Sequence, residues 1–326
     1  MIGFSIQKQK TPGVFKTLPL WDLLIIGAGP AGMNAALYAQ RKGLHVGMVT
    51  KEIGGQLHNT STVDNYLGLS MLEGKDLSAA FLKHIQALDV PIYNDVWVQD
   101  IQKLGMDFVI TLSDGVTLKS KTLLYATGGK PRQLGIPGED TFANKGVSYC
   151  TTCDAPFFKG KHVIVAGGGN SAAEAVIDLA PFASHITVIH RSQWRADPIT
   201  LKKHASIQNL TVHLETQLLE VIGQDVMRGV KVLDKKTKQI KPIAADGLFV
   251  EIGLIPTSDG IKHLAHLNDR QEVVIDDHFM TNVPGLFAAG DVSNVPFKQI
   301  VIAVGDGAKA ALSIQQYLIH QYSKGE

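Results

Sequence analysis

The chain carries two cysteines, Cys150 and Cys153, three positions apart and followed at once by Asp154 in the stretch VSYCTTCDAPF. Such a pair can be a redox couple, half of a metal site, or chemically idle. A structural zinc takes about four ligands, with further Cys or His at finger-like spacing, and none accompany this pair. No metal is expected. A disulfide across so short a loop would constrain the unfolded chain little, which leaves a purely structural bridge with small value. A carboxyl beside a dithiol, by contrast, can shuttle the proton that thiol–disulfide exchange requires. The pair therefore reads as a redox-active dithiol with Asp154 as its acid–base partner.

A dithiol of this kind needs an electron source, and two segments have the pattern to hold one. In DLLIIGAGPAGMNAALYAQRKGLHVGMVT, residues 22–50, four apolar residues lead into Gly27, Gly29 and Gly32, an alanine-rich amphipathic run follows, and a second apolar strand ends near Thr50. Glycine at these positions lets the backbone approach a pyrophosphate at a helix N-terminus, where free N–H groups and the helix dipole favour negative charge. The same strand, turn and helix return in HVIVAGGGNSAAEAVIDLAPFASHITVIH, residues 162–190, with Gly167, Gly169 and Ala172 in the corresponding places. Two dinucleotide folds imply two dinucleotides. One nicotinamide dehydrogenase unit needs a single fold, whereas hydride transfer from a nicotinamide to a flavin needs both.

At the end of the second unit's last strand, where an acid would take the ribose hydroxyls of NAD, stand His190, Arg191 and Arg195. Cations there suit the 2′-phosphate of NADPH. The first unit ends in Thr50, Lys51 and Glu52, so a ribose-binding acid is not squarely in place. The flavin half comes from VPGLFAAGDVSNVPFKQIVIAVGDGAKAALSIQQYL, residues 283–318. Here a strand ends in Gly290-Asp291, whose carboxylate suits a ribityl hydroxyl, and a long helix begins near Gln299. This segment is remote in sequence from the first glycine turn, so the flavin domain is expected to be discontinuous, with the nicotinamide domain inserted in it. Gly- and Pro-rich stretches at 126–140 and 253–260 mark the junctions. The fold class expected is α/β with two Rossmann-like domains. The flavin domain covers 20–132 and 258–326, and the nicotinamide domain, bearing the cysteines, covers 133–257.

With 326 residues and a net charge of +1, the chain offers no broad electrostatic case for nucleic acid or an anionic membrane as partner. No apolar run reaches the ~20 residues needed to cross a bilayer, and the N-terminus lacks a signal peptide's apolar core, so a soluble cytoplasmic protein is expected. Residues 1–20 read as an extended lead-in.

In order and spacing, GAGPAG, the GGQL of residues 54–57, CTTCD, GGGNSA and GLFAAGD resemble the low-molecular-weight thioredoxin reductases, from about Trp21 to Leu318. The flavoprotein subunit of alkyl hydroperoxide reductase has the same core plus an N-terminal dithiol domain, for which the twenty residues before the first strand leave no room. The resemblance implies FAD contacts along the first turn (Gly27, Gly29, Pro30, Ala31, Gly32), in GGQL (Gly55, Gln56, Leu57), and at Asn65. Further FAD contacts fall at the junction Ala126, Thr127 and Gly128, at Asp291, and at Gln299 and Ile300. It implies NADPH contacts at Gly168, Gly169, Asn170, Ser171, Ala172, His190, Arg191 and Arg195, with Ile252 nearby. Cys153 then faces the flavin, Cys150 attacks the partner's disulfide, and the inserted domain rotates about residues 131–136 and 254–260. The partner implied is thioredoxin or a thioredoxin-like protein, and the assembly a homodimer.

Two departures stand out. Family members commonly show His-Arg-Arg, three residues, then Arg; here Ser192 replaces the second arginine and the stretch is one residue shorter. A lost phosphate-facing cation costs on the order of 1–3 kcal/mol, so only a modest preference for NADPH is expected, with NADH usable. Ala155-Pro156 after Asp154, where glycine is frequent, should matter little. The rival readings are a ferredoxin- or flavodoxin-linked flavoprotein, an NADH-linked disulfide reductase serving a peroxiredoxin system, and a non-enzymatic dinucleotide-binding redox sensor.

Overall fold

The computed structural model describes residues 13–17, 20–60 and 62–322. Most of the expected lead-in lies outside these residues. Where it is described, Val14–Thr17 forms a helical turn instead of extended chain, because Phe15 buries its ring against Trp21 at 5.0 Å and Tyr93 at 5.5 Å.

The chain forms two compact units, one comprising the segment up to Lys130 together with Ile255 onward, the other Pro131–Leu254. The two crossings pair side by side, Gly129–Pro131 with Leu254–Pro256.

In the first unit the Trp21–Ala28 strand lies between Val46–Ile53 and Thr117–Tyr125, parallel to both. Its near-continuous apolar run suits a strand covered on both faces. Val46–Ile53 continues past the end expected at Thr50, since a register shift lets Ala28 pair with Ile53. Leu286–Ala288 returns from the far end of the sequence to pair with Thr117–Tyr125, which places Gly290-Asp291 at the same edge as the first glycine turn. The Pro30–Arg41 helix packs on the Ile300–Tyr322 helix through small residues, including Ala35, Ala36, Ala310 and Ala311. Their approach is closest at Gly307, where a Cβ would stand 2.1 Å from the Ala31 carbonyl oxygen.

In the second unit Leu210–His213, His185–Ile189, His162–Ala166, Gly247–Val250 and Val147–Ser148 form a wholly parallel five-stranded sheet. The Asn170–Leu179 helix follows the second glycine turn. A three-stranded antiparallel sheet, Thr216–Gly223, Met227–Asp234 and Ile240–Ala244, completes this unit. No motif in the sequence marks it.

Candidate active site

The cysteines are joined as a disulfide with 5.3 Å between their Cα atoms. The bridge spans one helical turn, Thr151–Asp154, with Cys150 as its N-cap. A three-residue separation across a helix N-terminus brings the two side chains together, with the Cα atoms within the span that a disulfide bridges. The Cys150 sulfur accepts the Cys153 N–H at 3.2 Å. A thiolate released on Cys150 therefore meets a helix-terminal amide, an arrangement that makes a thiol more acidic.

Ser148, which no sequence motif singles out, connects this turn to the acid. Its hydroxyl accepts the Cys150 N–H at 3.1 Å and donates to Asp154 Oδ2 at 2.6 Å. Burial holds the Asp154 carboxyl above its ordinary range, partly opposed by the Ser148 bond. Asp154 thus retains its proton to higher pH than a solvated aspartate, as a proton donor needs.

In the first unit, glycine at position 27 is compulsory: φ is +109° and a Cβ would stand 2.4 Å from the Ala126 carbonyl oxygen. At Gly32 a Cβ would meet the Gly27 oxygen at 2.0 Å, whereas around Gly29 there is open space. Gly29 caps the Pro30–Arg41 helix with no side-chain bond, leaving the first amides free for an anion. A Cβ on Gly55 would lie 3.7 Å from the Gly29 Cα, so GGQL borders the same turn. Gln56 Nε2 donates to the Gly129 oxygen at 2.9 Å, Asn65 Nδ2 to Gln299 Oε1 at 3.1 Å, and Thr127 Oγ1 to the Thr257 oxygen at 2.7 Å. The structure thereby brings these four dispersed side chains and the glycine turn into one unit. Leu57 differs: its side chain is buried with Val63 and Leu77, and half-buried Ile300 packs against that cluster.

The Asp291 carboxyl has no hydrogen-bond partner among the described residues, and burial pushes it up to about 6. Beside it, buried Asp306 accepts the Gly290 N–H, while its Oδ2 is partnerless among the described residues. A half-buried and a buried carboxyl with unmet acceptor capacity, beside a tight glycine turn with free amides, fit the hydroxyls and pyrophosphate of FAD.

In the second unit Gly169 caps the Asn170–Leu179 helix, again without a side-chain bond. A Cβ on Gly167 would stand 2.3 Å from the Glu251 oxygen and 2.7 Å from the Ala172 Cβ. Asn170 bonds reciprocally with Asp197, at 2.9 and 2.8 Å, and Ser171 is exposed. The His190 ring is buried over Gly168, where a Cβ would meet it at 2.2 Å, and bonds Ser192 Oγ at 3.0 Å. Burial first, then Arg195 and Arg191, push His190 below its ordinary value, which disfavours its cationic form. Arg191, Ser192 and Gln193 line a cavity of about 410 Å³ with Glu215, Lys235 and Lys236. The latter three, unmarked in sequence, bring two cations and one carboxylate. Arg195 bonds through its backbone to Gly168 and does not line this cavity, and Ile252 packs in the apolar core near the Gly247–Val250 strand.

Residues 21–307 match the family described as pyridine nucleotide-disulphide oxidoreductase. The chain belongs to that family. Thioredoxin reductase from Streptococcus pyogenes MGAS5005 is similar at 36% identity with a TM-score of 0.88, covering 93% of this chain and 99% of that one. An alkyl hydroperoxide reductase component of Xanthomonas campestris pv. phaseoli is 42% identical over 92% of this chain and 57% of its own length. An NADH dehydrogenase of Bacillus subtilis strain 168 is 39% identical over 92% of this chain and 59% of its own. The chain thus spans under two thirds of these curated relatives. This pyridine nucleotide-disulphide oxidoreductase is a flavoprotein using FAD and NAD(P)H. Among its described residues no helix is long and apolar enough to cross a membrane.

For this oxidoreductase, Asp291→Asn is expected to separate stability from cofactor retention. With a folded value of about 6 against 3.8, Asp291 binds more protons folded than unfolded, so the FAD-free protein loses stability as pH rises from about 4 through 6. Asparagine removes that loss, raising apoprotein stability at pH 7 by up to about 2–3 kcal/mol. The same change should weaken FAD retention. Thermal melts of apoprotein at pH 4 and 7, beside FAD titration, check both halves; a variant less stable at pH 7 with unaltered FAD binding would be the contrary result.

Proposed function

We propose that the chain is a protein-disulfide reductase that uses NADPH, FAD and the Cys150–Cys153 couple to reduce thioredoxin or a thioredoxin-like protein. The observation carrying this reading is the disulfide at a helix N-cap, joined through Ser148 to the buried acid Asp154 within a dinucleotide-binding unit. The unit ending at Lys130 and resuming at Ile255 would hold FAD, with Gly27, Gly29 and Gly32 at the pyrophosphate and Asp291 at the ribityl chain; Pro131–Leu254 would hold the nicotinamide nucleotide. When bound, FAD supplies the chemistry that turns a hydride into an electron pair for a disulfide. Cys150 attacks the partner's disulfide, releasing one partner thiol and forming a mixed disulfide. Cys153 then attacks Cys150, freeing the second thiol and restoring the internal bridge. Asp154 supplies the proton that a departing thiolate takes up. A homodimer in the cytoplasm is part of the same reading. Anaerobic reduction with NADPH and with NADH, followed by a panel of thioredoxins, tests it; no turnover with any member would refute it.

A second reading, an NADH-linked reductase serving a peroxide-reducing system, is favoured by Ser192 and by Glu215 in the cavity, since a carboxylate suits ribose hydroxyls. Glu215 is, however, paired with Lys236 at 2.9 Å, and Lys235 Nζ bonds the Arg191 oxygen at 3.1 Å. Three cations against one engaged carboxylate keep a modest preference for NADPH. Replacing Arg191 and Lys235 with alanine is expected to raise KM for NADPH about tenfold or more while leaving that for NADH nearly unchanged, as steady-state kinetics with both donors would show. Equal effects would mean that the pair only supports the loop.

A further inference from the structure

Glu251 follows the Gly247–Val250 strand, and nothing in the motifs around it marks it as functional. Its main chain belongs to the second glycine turn. The Glu251 N–H donates to the Ala166 oxygen at 2.8 Å, and its own carbonyl occupies the space that makes glycine necessary at position 167. Its side chain belongs to the dithiol helix. Glu251 Oε1 accepts the Thr151 hydroxyl at 2.6 Å and the Thr151 N–H at 3.2 Å. Thr151 is the first residue after the Cys150 cap. The carboxyl thus sits on the first amide of the same short helix whose Cys153 amide faces the Cys150 sulfur.

From this bridging geometry we infer that Glu251 is a positioning residue for the dithiol, clamping the Thr151 turn to the nucleotide-binding turn and holding Cys150 less acidic than its N-cap position would make it. The inference rests on the redox-dithiol reading and adds a means of setting reactivity. A cysteine at an N-cap with every amide free forms its thiolate readily; a carboxylate on the first amide opposes that by like-charge repulsion. Burial raises Glu251 above its ordinary value, the two Thr151 bonds oppose that rise, and Asp178 and Glu174 on the Asn170–Leu179 helix add to it, so the repulsion on Cys150 is exerted at pH above that raised value, where Glu251 is ionised. Asp154 and Ser148 act on the same turn from its other end.

The test uses the full-length protein with its disulfide reduced chemically, and follows alkylation by iodoacetamide against pH, which needs neither nicotinamide nor a protein partner. Glu251→Gln keeps an oxygen for Thr151 and removes the charge. It is expected to move the alkylation midpoint down by about one pH unit, with a fold as stable as the parent's. Glu251→Ala is expected to give the same downward shift together with a lower melting temperature, from the loss of the clamp. A Gln profile superimposable on the parent's overturns the inference, and so does a shift in the Ala variant alone. Should the parent reduce no disulfide partner while these shifts appear, the proposed activity fails and the assignment of Glu251 stands.

Discussion

Replacing Cys153 with serine is expected to abolish partner-disulfide reduction while leaving FAD bound and its visible absorbance still bleached by a nicotinamide donor. The substitution leaves the nucleotide-binding turns untouched, since Gly27, Gly32 and Gly167 are enforced by neighbouring backbone carbonyls and not by the bridge. It cuts only the thiol that resolves the mixed disulfide. Cys150 is left free, still capping its helix, so the variant should accumulate a covalent complex with an oxidised thioredoxin-like protein, visible on a non-reducing gel. Cys150→Ser should form none. Turnover by Cys153→Ser near the parental rate would remove the dithiol from the mechanism.

How much of this was legible in the sequence depended on what kind of constraint each residue obeys. The two glycine turns were readable because backbone approach excludes every other side chain, as the 2.4 Å from a Gly27 Cβ to the Ala126 oxygen makes plain. The return of Gly290-Asp291 to the first unit was readable because a strand pattern preceded it and a long helix followed. Ser148, Glu215, Lys235 and Glu251 were not. Each is a residue type that reads as a solvated strand end or hairpin, and each acquires meaning only when the two sheets of the second unit place its strand end beside Cys150 or Arg191. His190 carries a signal that sequence hides: its ring packs over Gly168, and burial, then Arg195 and Arg191, push its value below the ordinary one. The Leu57 side chain, which a motif cannot separate from its neighbours in GGQL, packs with Val63 and Leu77.

Asp154 supplies the second large effect. Asp154→Asn keeps an oxygen for the Ser148 hydroxyl and removes the transferable proton, so turnover is expected to fall by ~10²–10⁴-fold with FAD retained. The pH dependence separates chemistry from architecture. Burial raises the Asp154 value in the folded protein, so its contribution to stability is present in full below the unfolded value of 3.8 and is lost as pH rises through the folded one. Asparagine removes that loss, and the variant should melt no lower than the parent at pH 7. The parent's rate, limited by a protonated Asp154, should decline as pH rises beyond that raised value, and the variant's residual rate should lack this limb. A variant that is slow because its dithiol turn has collapsed would instead melt lower and keep the parent's pH profile. If Asp154→Asn turns over at the parental rate, the proton comes from solvent, and the carboxyl is held under Ser148 only to fix the turn.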